Sequence, residues 1–598
     1  MSRPASASPG CPRAKAEGAF IALAAGDALG WPQEFRNQVP DRGHPAVTPV
    51  FRPWLRRSGG RYFPHEEPIR AGEYSDDTQL MLAVARCRTL VGKSWWKVLT
   101  RTELPLWTLY ERGGGGATKR AAELWSRATP PWKADKPAAI HQYFAAGGNG
   151  VAMRVLPHAV FYAGDSDPEL LIRDVVLDGV ATHGHPRALV GATAYAFASW
   201  WLLRCDHTIR FGELVQVLTQ NAKAWGTLPV SSQTSNGWID AANQITSNGY
   251  ASVWSQTVDE MRVLLERVQA ELEAGAIADD DKILRDLGCF GEAKGAGTVS
   301  TAAAVYLCSR YAAQPLQAVL RPAFAHRADT DTLAAMSGGL VGCLAGKDWL
   351  PREWTQLQDH EYLCRMANEV ARGPAATQDP GTSLRPIGRR GLDELRNRLF
   401  DGGEGGLDLD GRRRAEIIAH TPLKPLSPST HAQSWQLKTE DGQTLYVTKL
   451  GRRPKEDARP VPQQQSLRDA STPSHATRTD YAAIADGLLL AVVNLRTMTA
   501  FYEGVLGLRP AQRSSQRVSY GALSLIDSSI IGKTRDDRGT IGGDARHHRI
   551  QIRVNDLDAA FHRVKASVGE LAQSVTERPG AQRSFSCIDP EGKSRRDR

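Results

Sequence analysis

Five runs constrain the fold more than anything else in the chain: GAFIALAAGDALG, DDTQLMLAVARCRTLV, RALVGATAYAFASWWLL, TVSTAAAVYLCSRYAA and DTDTLAAMSGGLVGCLAG. Each is apolar at helical spacing and too long for a strand. Each is also crowded with Ala and Gly and apolar around most of its circumference, the pattern of a buried helix rather than a surface one. They recur between Glu17 and Ala376, so residues 16–376 are expected to form an all-α domain with closely approaching helices. Residues 1–15 are Ser/Pro/Ala-rich and are expected to form a disordered tail.

The rest of the chain reads differently. Residues 385–459 suggest a small α/β module: LDELRNRLF is helical, a Gly/Asp-rich break follows, and SWQLKT and TLYVTKL flank Glu440-Asp441-Gly442. Asp-Gly between two alternating runs predicts a hairpin. Residues 460–479 are Pro/Gln/Ser-rich, the composition of a linker. Residues 482–598 show LLLAVVNLRTMTAFYEGVLGL and RIQIRVNDLDAAFHRVKASVG. Each reads as a strand followed by a helix, which predicts an α+β domain with an internal duplication.

With 598 residues, 41% hydrophobic and 23% charged, the chain is a multidomain globular protein, not a fibrous or disordered one. Its most apolar stretch, Ala194–Leu203, stops at Arg204, short of the roughly 18 residues a membrane span requires. No secretory signal is expected, because the first residues lack an apolar core. The eight cysteines are scattered without a C-x-x-C pair, which points to a reducing, cytoplasmic location. The net charge is +9; residues 1–376 carry 39 basic and 38 acidic groups, residues 377–598 carry 35 and 27. The basic rear is an ordinary solvated surface or a docking face for a protein partner or nucleic acid.

Two acidic segments carry the chemistry. Tyr74-Ser75-Asp76-Asp77-Thr78 and Asp329-Thr330-Asp331-Thr332 both open predicted helices. Singly, acids at a helix start are ordinary, because the helix dipole favours them there. Together they make a set of hard oxygen donors with no Cys and only His326 near in sequence. Such a set suits Mg²⁺ or Mn²⁺ rather than zinc, and a cation would relieve the mutual repulsion of four carboxylates.

GAFIALAAGDALGWPQEF, YSDDTQLMLAVA, GGNGVAMRVLPHAVFY, THGHPRALVGA and HRADTDTLAAMSGGLVGCLAG, in this order over residues 18–351, resemble the motif series of the ADP-ribosylglycohydrolase family. The resemblance implies an all-helical fold with two Mg²⁺ ions in a cleft. By it, Ser75, Asp76 and Asp77 hold one side of the metal pair, and Asp329, Asp331 and Thr332 the other. Glu34, seven residues after Asp27, matches an acid assigned to catalysis, with Asp77 and Asp329 as its catalytic partners. Gly148, Asn149 and Gly150 would approach the ADP-ribose. Gly113–Gly116, Gly115 among them, match a substrate loop with Thr118, and His183 matches the family's T-H histidine. The sequence departs from the pattern at Arg327 and Ala328, where glycines are usual, and at Val151, where serine is.

The rear domain, with AFYEGVLGL and the terminal DPEGKS, resembles the glyoxalase/bleomycin-resistance (vicinal oxygen chelate) family, built of βαβββ units. Members that bind metal use His or Glu at four strand positions. Here these fall near Gly487, Asp527, Arg549 and Arg596, with His547 and His548 out of register. The domain is therefore expected to be metal-free.

The first resemblance implies a Mg²⁺-dependent hydrolase of the glycosidic bond between ADP-ribose and an acceptor, an ADP-ribosylated protein or another ADP-ribosylated molecule. The accessory regions keep a different class open: an immunity or antitoxin-like protein that neutralises an ADP-ribosyltransferase by binding it.

Overall fold

A computed structural model describes residues 11–36, 46–90, 94–229, 237–247, 249–275, 279–373, 385–401 and 406–452, and beyond these four short strands and residues 499, 503 and 510. Residues 1–459 and 460–598 form two compact units.

The first unit is mainly helical. The helices that carry the argument are α1 (Arg13–Arg36), α2 (Asp76–Arg88), α3 (Gly116–Ser126), α4 (Pro186–Arg204), α5 (Gly297–Arg310), α6 (Thr330–Ala345), α7 (His360–Val370) and α8 (Arg389–Phe400). Helices α1 and α6 cross antiparallel at the centre. A Cβ added to Gly18 would lie 2.1 Å from the Gly346 carbonyl oxygen, one on Gly26 2.3 Å from that of Ala334, and one on Gly30 2.2 Å from that of Thr330. Glycines on α6 return the contact: a Cβ on Gly338 would lie 2.3 Å from the Ala22 carbonyl oxygen. The small-residue runs thus do what their composition predicts and let two backbones touch. The buried faces of α2, α4 and α5 surround this pair with aliphatic and aromatic side chains.

The expectation of an all-α region needs one correction. Strands β1 (Trp54–Ser58) and β2 (His65–Ile69) form an antiparallel hairpin inside it. β2 then pairs with β4 (Arg414–Pro425), so the sheet runs β1-β2-β4-β5-β6, with β5 at Thr430–Thr439, β6 at Thr444–Arg452 and the short β3 (Leu407–Asp408) on β4. The hairpin expected around Glu440-Asp441-Gly442 is the β5–β6 turn, with Gly442 at φ +92°. The α/β stretch after residue 385 therefore shares its sheet with the helical body. Helix α1 begins at Arg13, inside the tail expected at residues 1–15; residues 1–10 lie outside the described residues.

In the second unit, strands β7 (Leu488–Val492), β8 (Gln512–Arg513), β9 (Arg517–Tyr520) and β10 (Leu523–Asp527) form a sheet in the order β7-β10-β9-β8. β7 and β10 are parallel; the other neighbours are antiparallel. Of the positions singled out here, Asp527 ends β10, whereas Gly487, His547, His548, Arg549 and Arg596, the linker at 460–479 and the second repeat lie outside the described residues.

Candidate active site

The start of α2 is fixed from α1. Ser75 is the N-cap residue. Its backbone N–H donates to both carboxylate oxygens of Asp27, each at 3.1 Å, and Thr78 donates to Oδ2 through its backbone N–H (3.1 Å) and its hydroxyl (2.7 Å). Asp27 is fully buried in the middle of α1. Burial pushes its carboxyl pKa up, while the Thr78 and Ser75 hydrogen bonds pull against the rise. This residue turns the loop so that Asp76 and Asp77 face inward. The sequence reading used it only as a landmark; the signal was an acid standing alone in an apolar run.

The start of α6 meets the start of α2. The Thr332 hydroxyl lies 3.4 Å from Asp77 Oδ2, and the Ser75 hydroxyl reaches the same oxygen at 3.5 Å. Thr330 Oγ1 donates to the Gly30 carbonyl at 2.8 Å, which ties α6 to α1. Asp329 Oδ2 accepts a 2.7 Å hydrogen bond from Asn149 Nδ2, which also bonds Ser300 Oγ at 3.0 Å. The two acid clusters and Asn149 are thus brought together, and Glu34, at the last turn of α1, lies against Asp329 and Asp331.

The electrostatics are one-sided. Burial raises the pKa of Asp76, and Glu111 and Asp27 add to the rise. Asp77 is raised by burial and by Asp27, Asp76 and Asp329; Asp331 is raised by burial and by Glu34, Asp329 and Asp77. Glu34 is raised by burial and Asp329, with Lys294 opposing. Asp77 Oδ1 is buried without a hydrogen-bond partner, a costly state for a carboxylate. Among the described residues the carboxylates outweigh the cations that act on them, Lys294 and Arg56 on Glu34 and Lys119 on Asp76. The site's donors, all oxygen, fit a divalent cation. Among the described residues no three Asp, Glu, His or Cys groups are gathered into a cage. Mg²⁺ needs none, since it keeps several waters and takes one or two carboxylates.

Two glycine loops frame the acids. Gly113 has φ +100°, and a Cβ there would lie 3.1 Å from Asp76 Oδ1, so the Gly113–Gly116 loop begins directly against that carboxylate. Gly115 caps α3 and faces open space; Thr118 is buried one turn on. On the other side, Gly148 bridges to Ala296, and the Asn149 N–H donates to the Gly295 carbonyl at 2.8 Å. A Cβ on Gly150 would lie 3.0 Å from the His183 ring and 3.4 Å from Thr118 Oγ1, so these three residues meet. Burial and the nearby Arg154 push the His183 pKa down to about 3; the ring is neutral at physiological pH. Sequence reasoning missed Arg154, which is fully buried. It donates to the Gly150 carbonyl (2.8 Å), to Thr182 Oγ1 (2.9 Å) and to Asp178 Oδ1 (2.8 Å), while Thr182 Oγ1 lies 2.7 Å from His183 Nδ1. Of the departures, Val151 is buried, and Arg327 is exposed with φ +70°, the left-handed backbone that a glycine adopts freely.

A family profile described as ADP-ribosylglycohydrolase matches residues 10–380. The chain belongs to the ADP-ribosylglycohydrolase family. The match covers every residue of the site just described and stops before the strands β3–β6. Membership places the protein among glycosyl hydrolases acting on ADP-ribose linkages. Among solved structures, one described as "ADP-ribosylglycohydrolase-related protein complex" is 21% identical, with 60% of this chain and 98% of that chain covered and a TM-score of 0.38. No curated protein matches. Among the described residues, no helix is long and apolar enough to cross a membrane.

Proposed function

We propose that the protein is a Mg²⁺-dependent hydrolase that releases ADP-ribose from an ADP-ribosylated protein or another modified acceptor. The observation that carries the reading is the contact between Thr332 and Asp77, which joins the two acid clusters beside an unpartnered, buried carboxylate oxygen. Ser75, Asp76, Asp77, Asp329, Asp331 and Thr332 would hold two Mg²⁺ ions, with Mn²⁺ as a substitute. When bound, such ions supply charge that holds ribose hydroxyls and diphosphate and lowers the pKa of a water.

The remaining steps belong to the chain. Cleavage at the anomeric carbon passes through an oxocarbenium-like state, and water is the direct nucleophile. Glu34, whose pKa is raised by burial and by Asp329, takes the proton of that water as general base, and the departing acceptor atom takes up a proton as its bond to the anomeric carbon breaks. Asp77 and Asp329 hold the site's negative charge toward the developing cation. The glycine loops at 113–116 and 148–150 admit the substrate backbone closely and exclude bulk water. Neutral His183 lies beside Gly150 without adding charge.

The second unit supports a vicinal-oxygen-chelate-like reading through one feature: of its described strands, β7 is parallel to β10, which requires a crossover between them. We assign it partner recruitment rather than chemistry. The test of the whole reading is release of ADP-ribose from a panel of arginine-, serine- and nucleotide-linked substrates, with Mg²⁺ and with EDTA. Release that EDTA abolishes is expected. No release from any substrate, with tight binding to an ADP-ribosyltransferase, would favour the immunity reading instead.

A further inference from the structure

The acid site is held from outside the region that the family profile covers. Strand β6 lies beyond residue 380, yet two of its residues reach the loop that precedes Ser75. Thr444 and Tyr446, two apart and therefore on one face of the strand, each act through a single carboxylate.

The first link runs through Asp359. Tyr74, next to Ser75, donates its hydroxyl to Asp359 Oδ2 at 2.9 Å. Thr444 donates to the same carboxylate through its backbone N–H and its hydroxyl, both at 2.7 Å, and Lys438 of β5 adds a 3.0 Å bond. Asp359 precedes α7 with φ +57°, a strained backbone that these bonds hold in place. The second link runs through Glu73. The Tyr446 hydroxyl donates to Glu73 Oε1, and Arg112 donates to Glu73 Oε2 at 2.9 Å and to Glu67 of β2 at 2.8 Å. The Arg112 guanidinium lies over the Tyr446 ring, 4.1 Å from its centroid. Arg112, Glu67 and Glu73 are all buried, and Arg112 directly precedes the Gly113–Gly116 loop.

We propose that Tyr446 is a positioning residue for the acid site: through Glu73 and Arg112 it fixes both lips at once, the Ser75–Asp77 turn and the glycine loop that begins against Asp76. The appended sheet is then part of the working enzyme and not cargo carried behind it. The assignment of hydrolysis rests on the function proposed above; the assignment of positioning does not, and the experiment separates them.

The test uses the full chain with Tyr446→Phe and Tyr446→Ala. The phenylalanine keeps the ring over Arg112 and loses only the bond to Glu73. Hydrogen exchange read by mass spectrometry is the first readout. Peptides covering residues 72–78 and 111–117 are expected to exchange faster in Tyr446→Ala and less so in Tyr446→Phe, with α5 unchanged. ADP-ribose release is the second: kcat falls about tenfold in Tyr446→Ala, within the range typical of lost outer-shell partners, with a smaller change in KM and an intermediate value for Tyr446→Phe. If Tyr446→Ala does not fold, Tyr446→Phe decides by the same readouts. Wild-type exchange at both lips, or faster exchange spread evenly over the unit, overturns the proposal. If the wild type releases no ADP-ribose, the hydrolase reading fails and the exchange data still decide the positioning.

Discussion

Replacing Gly30 by Ala tests whether the backbone contact between α1 and α6 sets the geometry of the acids. A Cβ at this position would stand 2.2 Å from the Thr330 carbonyl oxygen and 2.6 Å from Asp331 Cα. Ordinary contact begins at 3.4 Å, so the start of α6 must retreat by about 1.2 Å. Overpacking of this kind costs about 1–3 kcal/mol. The Thr332–Asp77 contact, already 3.4 Å long, would not survive the shift as a hydrogen bond. A misplacement of about 1 Å costs about 100-fold in rate. The control is Gly18→Ala, which meets the Gly346 carbonyl oxygen at 2.1 Å, about 18 Å along the same helix at 1.5 Å per residue. Both variants should lose a similar amount of thermal stability, whereas ADP-ribose release should fall about 100-fold only in Gly30→Ala. Wild-type turnover in Gly30→Ala, or equal losses in both, would refute the argument that this crossing positions the site.

Three further outcomes are expected. Asp331→Asn should lower turnover by orders of magnitude with the fold intact, because an amide cannot replace the charge offered to a cation; unchanged turnover at saturating Mg²⁺ would remove Asp331 from the site. Glu34, Asp76, Asp77 and Asp331 have folded pKa values above their ordinary 4.5 and 3.8. The folded state then binds more protons than the unfolded one, so without metal these groups cost stability increasingly as pH rises above about 4. Mg²⁺ should therefore raise the melting temperature more at about pH 8 than at about pH 5, and a shift independent of pH would contradict the clustering. Arg327→Gly should stabilise the protein by about 0.5–1 kcal/mol in urea unfolding, since relief of a left-handed backbone, about 1–2 kcal/mol, exceeds the entropic cost of glycine, about 0.5–1 kcal/mol; a loss of stability would show that the arginine side chain holds something in place.

What the sequence made legible was what it repeats or clusters. The Gly and Ala runs announced the α1–α6 crossing because close helix approach demands small residues over many turns. The acid pairs announced themselves because both sit at helix starts, where a loop and a helix bring two side chains to one point. The hairpin β1–β2 was not legible: WLRRS and HEEPI are short and half charged, and their partner strand lies about 350 residues later in the chain. Asp27 and Arg154 were hidden for a related reason. A single buried polar residue carries no pattern, and its meaning lies in partners such as Ser75, 48 positions away. Tyr446 lay in a strand read correctly as a strand, but nothing in TLYVTKL says which wall of the protein it faces.

The sheet also imposes an order on synthesis. Strand β2 pairs through His65 and Glu66 with Pro425 and Lys424 of β4. At about 5–20 residues per second, the ribosome delivers β4 roughly 20–70 s after β2. For that time the nascent hairpin has an open edge, the kind of surface on which strands of other chains add. Its residues are suited to the wait: Arg56 and Arg57 face Glu67 and Glu66 across the hairpin, and charge along an edge discourages a foreign strand. The eventual partner is recognised in kind, since Lys424 closes on Glu66 at 3.1 Å. The lips of the acid site thus receive their final support only once Thr444 and Tyr446 have been made, so a ribosome stalled before residue 444 leaves a helical body whose acid-site loops are not yet braced.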